Sequence, residues 1–343
     1  MGRESLVLLF CVLLWAGCPS TTHIRQEKGS ERSVTPKESP QQVDGKAERR
    51  EDIPDTKSVE IVKERTVDVK TTPWGALKIV DIHAHIGTFS GYDLSLSNLI
   101  ENMRRYGVKT ALISNIDGAN LPGTTANLDE KKANQATVLA VQKYPSMLRG
   151  IAWTRPNDGK PDLIEPFVRD AKLKDGKSRV FVAMKFHPDM NQFSADGASL
   201  NGYMKLCEKY DLVAVFHCGG KWSHSDPEKI YTLAKRFPKV AVVLYHMGFS
   251  GEHQFAIDVV KRSLQKKDAR IFLGTAQADP NAVVKAIKEL GSEAVMFGTD
   301  ATYYGKAHYE KYEKMINLMK SSLTQRQLDD VLRDNAKRLF RLP

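Results

Sequence analysis

From residue 73 onward, short apolar runs alternate with longer amphipathic stretches. In the longer stretches apolar residues recur at spacings of three and four, as at Leu96, Leu99 and Met103, which is the period of helices that cover a sheet. The short runs have the length and composition of strands. They span residues 77–82, 110–114, 148–153, 179–186, 212–216, 240–245, 270–273 and 294–297. The pattern therefore predicts a strand followed by a helix, repeated eight times.

The number of repeats selects the fold. Eight strand–helix units in about 270 residues match a closed (β/α)8 TIM barrel, whereas an open doubly wound sheet more often stops at five or six strands. No glycine-rich phosphate loop follows the first apolar run, which argues against nucleotide-binding open sheets. We expect residues 73–343 to form one α/β domain, a TIM barrel.

The N-terminus has the layout of an export signal. Arg3 precedes an apolar run over residues 6–14, and Ala16, Gly17 and Cys18 follow it. The apolar run is much shorter than the roughly 20 residues that a membrane-spanning helix needs. Residues 1–18 are therefore predicted to be a signal segment, and the protein is expected to be exported.

Ala16-Gly17-Cys18 also resembles the bacterial lipobox, in which the cysteine becomes the lipidated first residue of the mature protein. Trp15 departs from the leucine usual in that motif. Cys18 would tether the protein to a membrane face, and the alternatives are ordinary cleavage with release, or no processing. Residues 19–72 are polar with almost no aromatic residues, so we expect a disordered linker.

The chain carries 51 Lys and Arg against 41 Asp and Glu, a net charge of +10. Cations and carboxylates balance within the predicted linker, so this charge belongs to the barrel. A basic barrel could favour anionic lipid, polyanions or an acidic substrate. No cluster of Lys and Arg interleaved with aromatic residues marks a nucleic-acid surface, so we expect no nucleic-acid partner and membrane contact only through the lipid anchor. The sequence leaves the oligomeric state open.

The first strand carries a pair of histidines. In a barrel of this kind the active site lies where the strands end, and residues two apart on a strand point the same way. His83 and His85 should therefore converge at the end of the first strand, with Asp81 below them. Neutral imidazoles are good ligands for zinc and similar ions, so the pair predicts half of a metal site.

Three further strands end in residues of the same kind. His217 closes the fifth apolar run and His246 closes the sixth. A single histidine at a strand end is usually structural, but recurrence at the same end of three strands favours a shared site. Asp300 follows the eighth run in Gly298-Thr299-Asp300, where a carboxylate could bind a metal, accept a proton from water, or do both.

Taken in order, the motifs resemble the amidohydrolase-related (amidohydrolase 2) family of metal-dependent TIM-barrel hydrolases and decarboxylases. They are His-X-His, Lys-X-His-Pro, two His-X-Gly, Gly-Thr-Asp and a terminal Asn-Ala-Lys-Arg-Leu-Phe, over residues 77–342. The resemblance implies that His83, His85 and His217 are metal ligands and that His246 is a ligand or polarises a carbonyl. It also implies that Asp300 is both a ligand and the general acid/base.

The fourth strand leaves the number of metals open. Lys185 and His187 share one face at its end, and in binuclear members of the superfamily a carboxylated lysine on this strand bridges two metals. Mononuclear members bind without it. We expect one divalent ion, Zn²⁺ first with Mn²⁺ or Fe²⁺ as alternatives, and a second ion only if Lys185 is carboxylated. Lys185 and His187 would otherwise line the site.

Residues that follow other strands are candidates for substrate contacts. Arg155, Trp222 and Tyr303 follow the third, fifth and eighth strands, and each is selected only by its position. The end of the seventh strand, Gly274-Thr275-Ala276, lacks the acidic or serine residue expected in many relatives, which leaves leaving-group contacts open.

Three functions remain in competition. The first is hydrolysis of a small-molecule amide, lactone or ester, in which Asp300 takes a proton from water that the metal acidifies and later protonates the leaving group. The second is metal-dependent, non-oxidative decarboxylation of an aromatic or unsaturated acid, for which a basic pocket would suit the carboxylate. The third is an inactive, tethered binding protein, against which the intact ligand set argues.

Overall fold

The computed structural model describes residues 72–89, 92–119, 128–157, 159–249 and 251–343. The predicted signal segment and nearly all of the predicted linker lie outside these residues, so both stay predictions. In the described part of the chain, none of the helices has the length and apolar character needed to cross a membrane.

The predicted alternation of strands and helices is confirmed. In the described part of the chain, eight parallel strands pair in chain order. They are β1 (Ile79–Ile86), β2 (Val108–Asn115), β3 (Leu148–Trp153), β4 (Phe181–Phe186), β5 (Val213–His217), β6 (Ala241–Tyr245), β7 (Arg270–Gly274) and β8 (Val295–Met296). Nearly every residue of these strands is buried, as expected for a parallel sheet that helices cover.

The barrel closes through the residues that follow β8, because β8 itself is only two residues long. The Ile82 N–H donates to the Phe297 carbonyl at 3.0 Å, and the Asp300 N–H donates to the His83 carbonyl at 2.7 Å. Ala84 and Ala301 form a parallel bridge beyond them. We call the contact between β1 and residues 297–301 the seam, and the chemistry described below lies on it.

Helices surround the strands. They are α1 (Leu96–Tyr106), α2 (Glu130–Lys143), α3 (Pro161–Asp170), α4 (Asn201–Tyr210), α5 (Pro227–Arg236), α6 (His253–Lys266), α7 (Pro280–Leu290), α8 (Glu313–Ser322), α9 (Gln325–Asp329) and α10 (Asn335–Phe340). Several begin with a side-chain cap, as at α7, where the Asp279 carboxylate accepts from two backbone N–H groups and Pro280 occupies the first turn. Gly107 ends α1 at φ 75°, a conformation that glycine adopts without strain.

The apolar residues form two main layers. One fills the barrel interior and includes Val80, Leu112 and Val243, and the other packs between the strands and the helices. The last helix, α10, closes the N-terminal end of the barrel, since Phe340 and Leu342 belong to the interior cluster. The opposite end, where the strands finish, is therefore left for polar side chains.

Candidate metal centre

His83 and His85 converge as the sequence predicts. Their Nε2 atoms lie 3.1 Å apart, and both side chains are almost fully buried. The Ser114 hydroxyl and carbonyl lie 3.0 and 3.3 Å from His85 Nδ1. Holding Nδ1 in this way fixes the ring and leaves Nε2 to face the centre of the site, as it does in many metal-ligating histidines.

Asp81 does not lie beneath the two imidazoles as strict alternation suggests. Its carboxylate instead accepts from the Thr299 hydroxyl at 2.5 Å and the Tyr309 hydroxyl at 3.0 Å, across the seam. It also accepts from the backbone N–H of His83 and of Thr299. The pairing of β1 with β2 shifts register between Asp81 and Ala84, which interrupts the alternation of faces. Asp81 therefore anchors the seam rather than the site.

Asp300 completes a compact group with the two histidines. Its Oδ1 lies 3.3 Å from His83 Nε2 and 3.1 Å from His85 Nε2. One ligand atom from each of the three residues lies within 4.8 Å of the others, and all three residues are buried. Among the described residues, this is the group that could hold a metal ion.

The other carboxylate oxygen of Asp300 has a partner that sequence reasoning missed. The Gln277 side-chain amide donates to Asp300 Oδ2 at 2.7 Å, and the Gln277 backbone N–H donates to the Tyr312 hydroxyl at 3.0 Å. Gln277 follows β7 by three residues, just beyond the strand end that departs from the expected pattern. A polar residue soon after a strand end was the available signal. The two oxygens of Asp300 are thus distinguished, one facing the imidazoles and one held by an amide.

Three residues around the site have strained backbones. His246, Gln277 and Asp300 have φ values of 67°, 55° and 63°, in the left-handed region that favours glycine. For residues with a side chain this conformation costs on the order of 1 kcal/mol each, and it persists where packing enforces it. They follow β6, β7 and β8, so the strain is concentrated at one side of the site.

The histidines at the ends of β4, β5 and β6 extend the group. The His187 and His217 rings stack with centroids 4.0 Å apart, and the His217 and His246 centroids are 4.7 Å apart. His246 in turn lies 5.0 Å from His83 between ring centroids. The four rings therefore form one continuous cluster with His85. His217 lies outside the compact group of three ligands, and its Nε2 faces Asp189 Oδ2 at 3.6 Å.

Lys185 reaches the same point from β4. Its Nζ lies 3.0 Å from His83 Nε2 and 4.6 Å from the centroid of the Tyr245 ring, and the side chain is almost fully buried. Burial lowers the pKa of Lys185 to about 7, although the negative charge of Asp300 opposes the change. An amine of lowered pKa at this position is a more available nucleophile or ligand than a surface lysine.

Burial favours the neutral form of four imidazoles in the site, those of His83, His187, His217 and His246. It is the largest cause that lowers the pKa values of His83, His187 and His246, and nearby basic groups add to it. For His217 burial lowers the pKa to about 4 against the opposing charge of Asp189. Burial would raise the pKa of Asp300, but the hydrogen bond from His85 and the neighbouring basic groups lower it overall. The site thus offers an ionised carboxylate at Asp300 next to imidazoles of lowered pKa at His83, His187, His217 and His246.

This donor set fits a divalent metal. The imidazole nitrogens of His83 and His85 lie close to a carboxylate oxygen of Asp300. Imidazole nitrogen and carboxylate oxygen are ligands that zinc, manganese and iron accept. Nδ1 of His217 and Nδ1 of His246 are buried and have no hydrogen-bond partner among the described residues. Unpaired polar atoms are costly in a buried site, so both are available to a ligand or substrate.

The three predicted substrate-contact residues lie in different surroundings. The Tyr303 ring lies 6.3 Å from the His85 ring, so it lines the site. Arg155 is half-buried on the loop after β3, where its backbone N–H donates to the buried Glu130 carboxylate at 2.7 Å. Trp222 is 89% exposed, and its backbone N–H donates to Asp226. In this conformation Trp222 forms no part of a buried wall.

Sequence reasoning missed an aromatic group beside Tyr303. Phe89 and Tyr92 lie with ring centroids 5.9 and 5.2 Å from Tyr303, and both come from the loop after β1. Trp153, at the end of β3, lies 6.3 Å from the rings of both His85 and His187. We call Phe89, Tyr92, Tyr303 and Trp153 the aromatic wall. No spacing in the sequence reveals it, because its members come from three separate segments.

The loops around this end of the barrel are acidic. Counted from the sequence over the segments between each strand and the next helix, five Lys or Arg stand against eleven Asp or Glu. The basic charge of the chain therefore lies elsewhere. At the strand ends, Lys185 contributes a basic side chain next to the histidines, with its Nζ 3.0 Å from His83 Nε2.

Solved structures share the fold at low sequence identity. A 5-carboxyvanillate decarboxylase from Novosphingobium aromaticivorans, complexed with manganese and a nitrobenzoic acid, is 14% identical with a TM-score of 0.56, over 81% of this chain and 100% of that one. A dihydroxybenzoic acid decarboxylase from Polaromonas, with bound manganese and 2-nitroresorcinol, is 15% identical with a TM-score of 0.57, over 77% and 97%. A probable 2-pyrone-4,6-dicarboxylic acid hydrolase from Acinetobacter baumannii is 17% identical with a TM-score of 0.52, over 78% and 100%.

No curated protein matches the chain. A family model does match, over residues 80–342. The match includes all of the barrel strands except the first residue of β1, and it includes the compact group of His83, His85 and Asp300. The chain belongs to the amidohydrolase family that this model describes.

Proposed function

We propose that the protein is a metal-dependent hydrolase that acts on the carbonyl group of a small-molecule amide, lactone or ester. The observation that carries the proposal is the convergence of His83 Nε2, His85 Nε2 and Asp300 Oδ1 in a buried site. His217 would supply a further ligand from β5. A divalent cation bound there would polarise the substrate carbonyl and lower the pKa of a water molecule from 15.7 towards ~7.

The residues of the chain supply the remaining steps. Asp300 would accept a proton from water and return it to the leaving group, and the amide of Gln277 would keep its Oδ2 in place during both transfers. His246 would polarise the carbonyl or serve as a ligand, since its neutral ring has an unpartnered Nδ1. The aromatic wall would exclude bulk water from one side.

The identity and number of the metals are part of the proposal. Zn²⁺ is the first ion to test because two imidazoles and one carboxylate suit it, and Mn²⁺ is the second because two of the structural neighbours contain it. Lys185 would hold a second ion only after carboxylation of its Nζ, 3.0 Å from His83 Nε2. Without carboxylation it would line the site together with His187.

Decarboxylation of an aromatic acid is the second candidate. The aromatic wall favours it, because it could pack against a planar ring next to His85, and two of the similar structures are decarboxylases that hold aromatic ligands. The acidic composition of the loops at this end of the barrel counts against it, since they carry eleven Asp or Glu, Asp300 included, and five Lys or Arg.

A direct comparison of products distinguishes the two reactions. The purified protein, loaded in turn with Zn²⁺ and Mn²⁺, is given a panel of lactones, amides and esters and a panel of aromatic acids. Hydrolysis predicts acid release from the first panel and no carbon dioxide from the second. Carbon dioxide release without hydrolysis would replace the first proposal by the second.

The third candidate, an inactive binding protein, makes a separate prediction. A protein purified without chelators should contain about one equivalent of divalent metal if the site is catalytic. Well under one equivalent, together with no turnover on either panel, would favour a binding role. The exported location and the lipid anchor at Cys18 remain proposals from the sequence, and the size of the N-terminal fragment found by mass spectrometry would test both.

A further inference from the structure

The end of the barrel opposite the histidines carries the basic charge. We call this the N-terminal face and define it as residues 72–80, the segments between each helix and the second residue of the next strand, and residues 335–343. Counted from the sequence, these segments contain thirteen Lys or Arg and four Asp or Glu. The thirteen are Lys78, Lys109, Arg149, Lys172, Lys174, Lys177, Arg179, Lys239, Lys267, Arg270, Lys337, Arg338 and Arg341.

Helix geometry does not account for this concentration. Cations are common in the last turn of a helix because they complement the negative end of the helix dipole. The thirteen Lys and Arg of the N-terminal face include none from the last turns of α1–α9. Most of the counted residues lie in loops or at the starts of strands. Since the loops at the other end have the opposite balance, the barrel is electrically polarised from end to end.

Nine of the thirteen side chains are exposed, including Lys109, Lys177 and Lys267. The face is also indented. A cavity of about 400 Å³ lies between α10 and the starts of β5 to β8, and Lys239, Arg270, Arg338 and Arg341 line it. Two of these cations already pair with carboxylates, Lys239 with Glu208 at 3.2 Å and Arg341 with Asp211. The surplus of positive charge therefore comes from the face as a whole.

The preceding part of the chain joins the barrel at this same face. Thr72 lies against Gly107, the residue that ends α1 just before β2 begins. The contact is close, since a Cβ atom added to Gly107 would lie 3.3 Å from the Thr72 side chain. A tether that leads towards Cys18 would therefore leave from the basic end. The candidate metal centre lies at the far end of the strands.

We propose that the N-terminal face docks on an anionic lipid surface and turns the metal centre away from that surface. A basic surface attracts anionic lipid headgroups, and a tether that ends at a lipidated Cys18 would keep this face near the membrane. Each Lys or Arg close to an anionic membrane strengthens binding about fivefold, and salt weakens it. The proposal adds a protein–membrane contact to the anchor at Cys18 and does not depend on the reaction.

Vesicle flotation of the full chain tests the proposal. Vesicles of phosphatidylcholine alone are compared with vesicles that also contain phosphatidylglycerol, so that the ratio of the two affinities reports the charge-dependent part of binding. The N-terminal segment is the same in every variant, so its contribution cancels when the ratios of the variants are compared. We expect tighter binding to the anionic vesicles and a loss of the preference at high salt. The triple variant Lys109→Gln, Lys177→Gln and Lys267→Gln should reduce the ratio by about 100-fold if each cation contributes about fivefold.

A matched triple variant controls for net charge. Lys160, Lys221 and Lys306 are exposed at the other end of the barrel, and changing all three to Gln removes the same charge. This variant should keep the preference for anionic vesicles. Equal losses in both variants, or no preference in the unmodified protein, would overturn the proposal. Tighter binding to a DNA duplex than to anionic vesicles would also overturn it, because the face would then fit a polyanion of another class.

Discussion

At the scale of single residues, the arrangement around Asp300 makes the sharpest prediction. Oδ1 faces both imidazoles within 3.3 Å, so an amide in place of the carboxylate could still contact a metal but could not accept a proton from water. Asp300→Asn should lower kcat by roughly 10²- to 10⁴-fold while metal content stays near that of the unmodified protein. Turnover and metal analysis on the same preparation check this. Undiminished turnover would remove Asp300 from its proposed role.

Gln277 should affect turnover by positioning Asp300 and not by contacting the substrate. A hydrogen bond to a charged group contributes about 1.5–3 kcal/mol, so Gln277→Leu should lower kcat by roughly 10- to 100-fold with little change in KM. Gln254 offers a matched control, since its amide donates to Asp258 at 2.8 Å on the exposed surface of α6. Gln254→Leu should leave kcat unchanged. A rise in KM with constant kcat in Gln277→Leu would place Gln277 against the substrate instead.

At the scale of elements, α2 holds the end of β3 through a buried carboxylate. Glu130, the first residue of α2, accepts from the Arg155 N–H at 2.7 Å and from the Tyr203 hydroxyl at 3.0 Å. Burial raises the pKa of Glu130 to about 7, although these hydrogen bonds oppose the change. The folded protein therefore holds a proton there that the unfolded chain releases near pH 4.5.

This proton gives stability a definite pH dependence. The protonated Glu130 side chain makes its full contribution to the free energy of unfolding below about pH 4.5. The contribution is lost as the pH rises through about 7, because the Glu130 carboxyl ionises more easily in the unfolded chain than in the folded protein. The Gln side chain in Glu130→Gln cannot ionise. The free energy of unfolding of this variant, relative to that of the unmodified protein, should therefore rise by on the order of 3 kcal/mol between about pH 4.5 and 7. Urea titrations at several pH values measure the difference. Glu101→Gln, an exposed change on α1, is the control, and a parallel shift in both variants would contradict the prediction.

The strands of the barrel could be predicted from the sequence, whereas the bulge in β1 and the loops could not. All eight strands were predictable, because each is a buried apolar run, and His83, His217 and Asp300 were predictable because each follows or ends such a run. The register shift in β1 was not, since bulges depend on how neighbouring strands fit. Gln277 and the aromatic wall come from loops, whose conformations depend on contacts distant in sequence.

At the scale of the whole molecule, the charge of the chain is separated by the fold. A net charge of +10 suggested a basic pocket for an acidic substrate, but the loops at the histidine end are acidic and the segments at the opposite end are basic. The acidic end surrounds a site whose donors attract cations, and the basic end meets the preceding segment of the chain at Thr72. The same alternation of strands and helices would thus place the proposed catalysis and the proposed attachment at opposite ends of the barrel.

The candidate metal centre also lies across the closure of the barrel. His83 and His85 belong to β1, whereas Asp300 follows β8, where only a few backbone hydrogen bonds complete the seam. An ion bound by all three would link the first and last strands. Because a ligand that binds only the folded state stabilises it, an ion at about 100 times its Kd should add about 2.7 kcal/mol and raise Tm.

Hydrogen exchange tests where that stabilisation acts. On addition of metal, the amides of Ile82, His85 and Asp300, which donate across the seam, should gain more protection than the amide of Gly150, which donates from β3 to the Val180 carbonyl. His85→Ala should remove both the local gain and the rise in Tm. Equal protection of the seam and of β3 would mean that the ion stabilises the barrel without joining its ends, and the ligand set would then have to lie on one side of the seam.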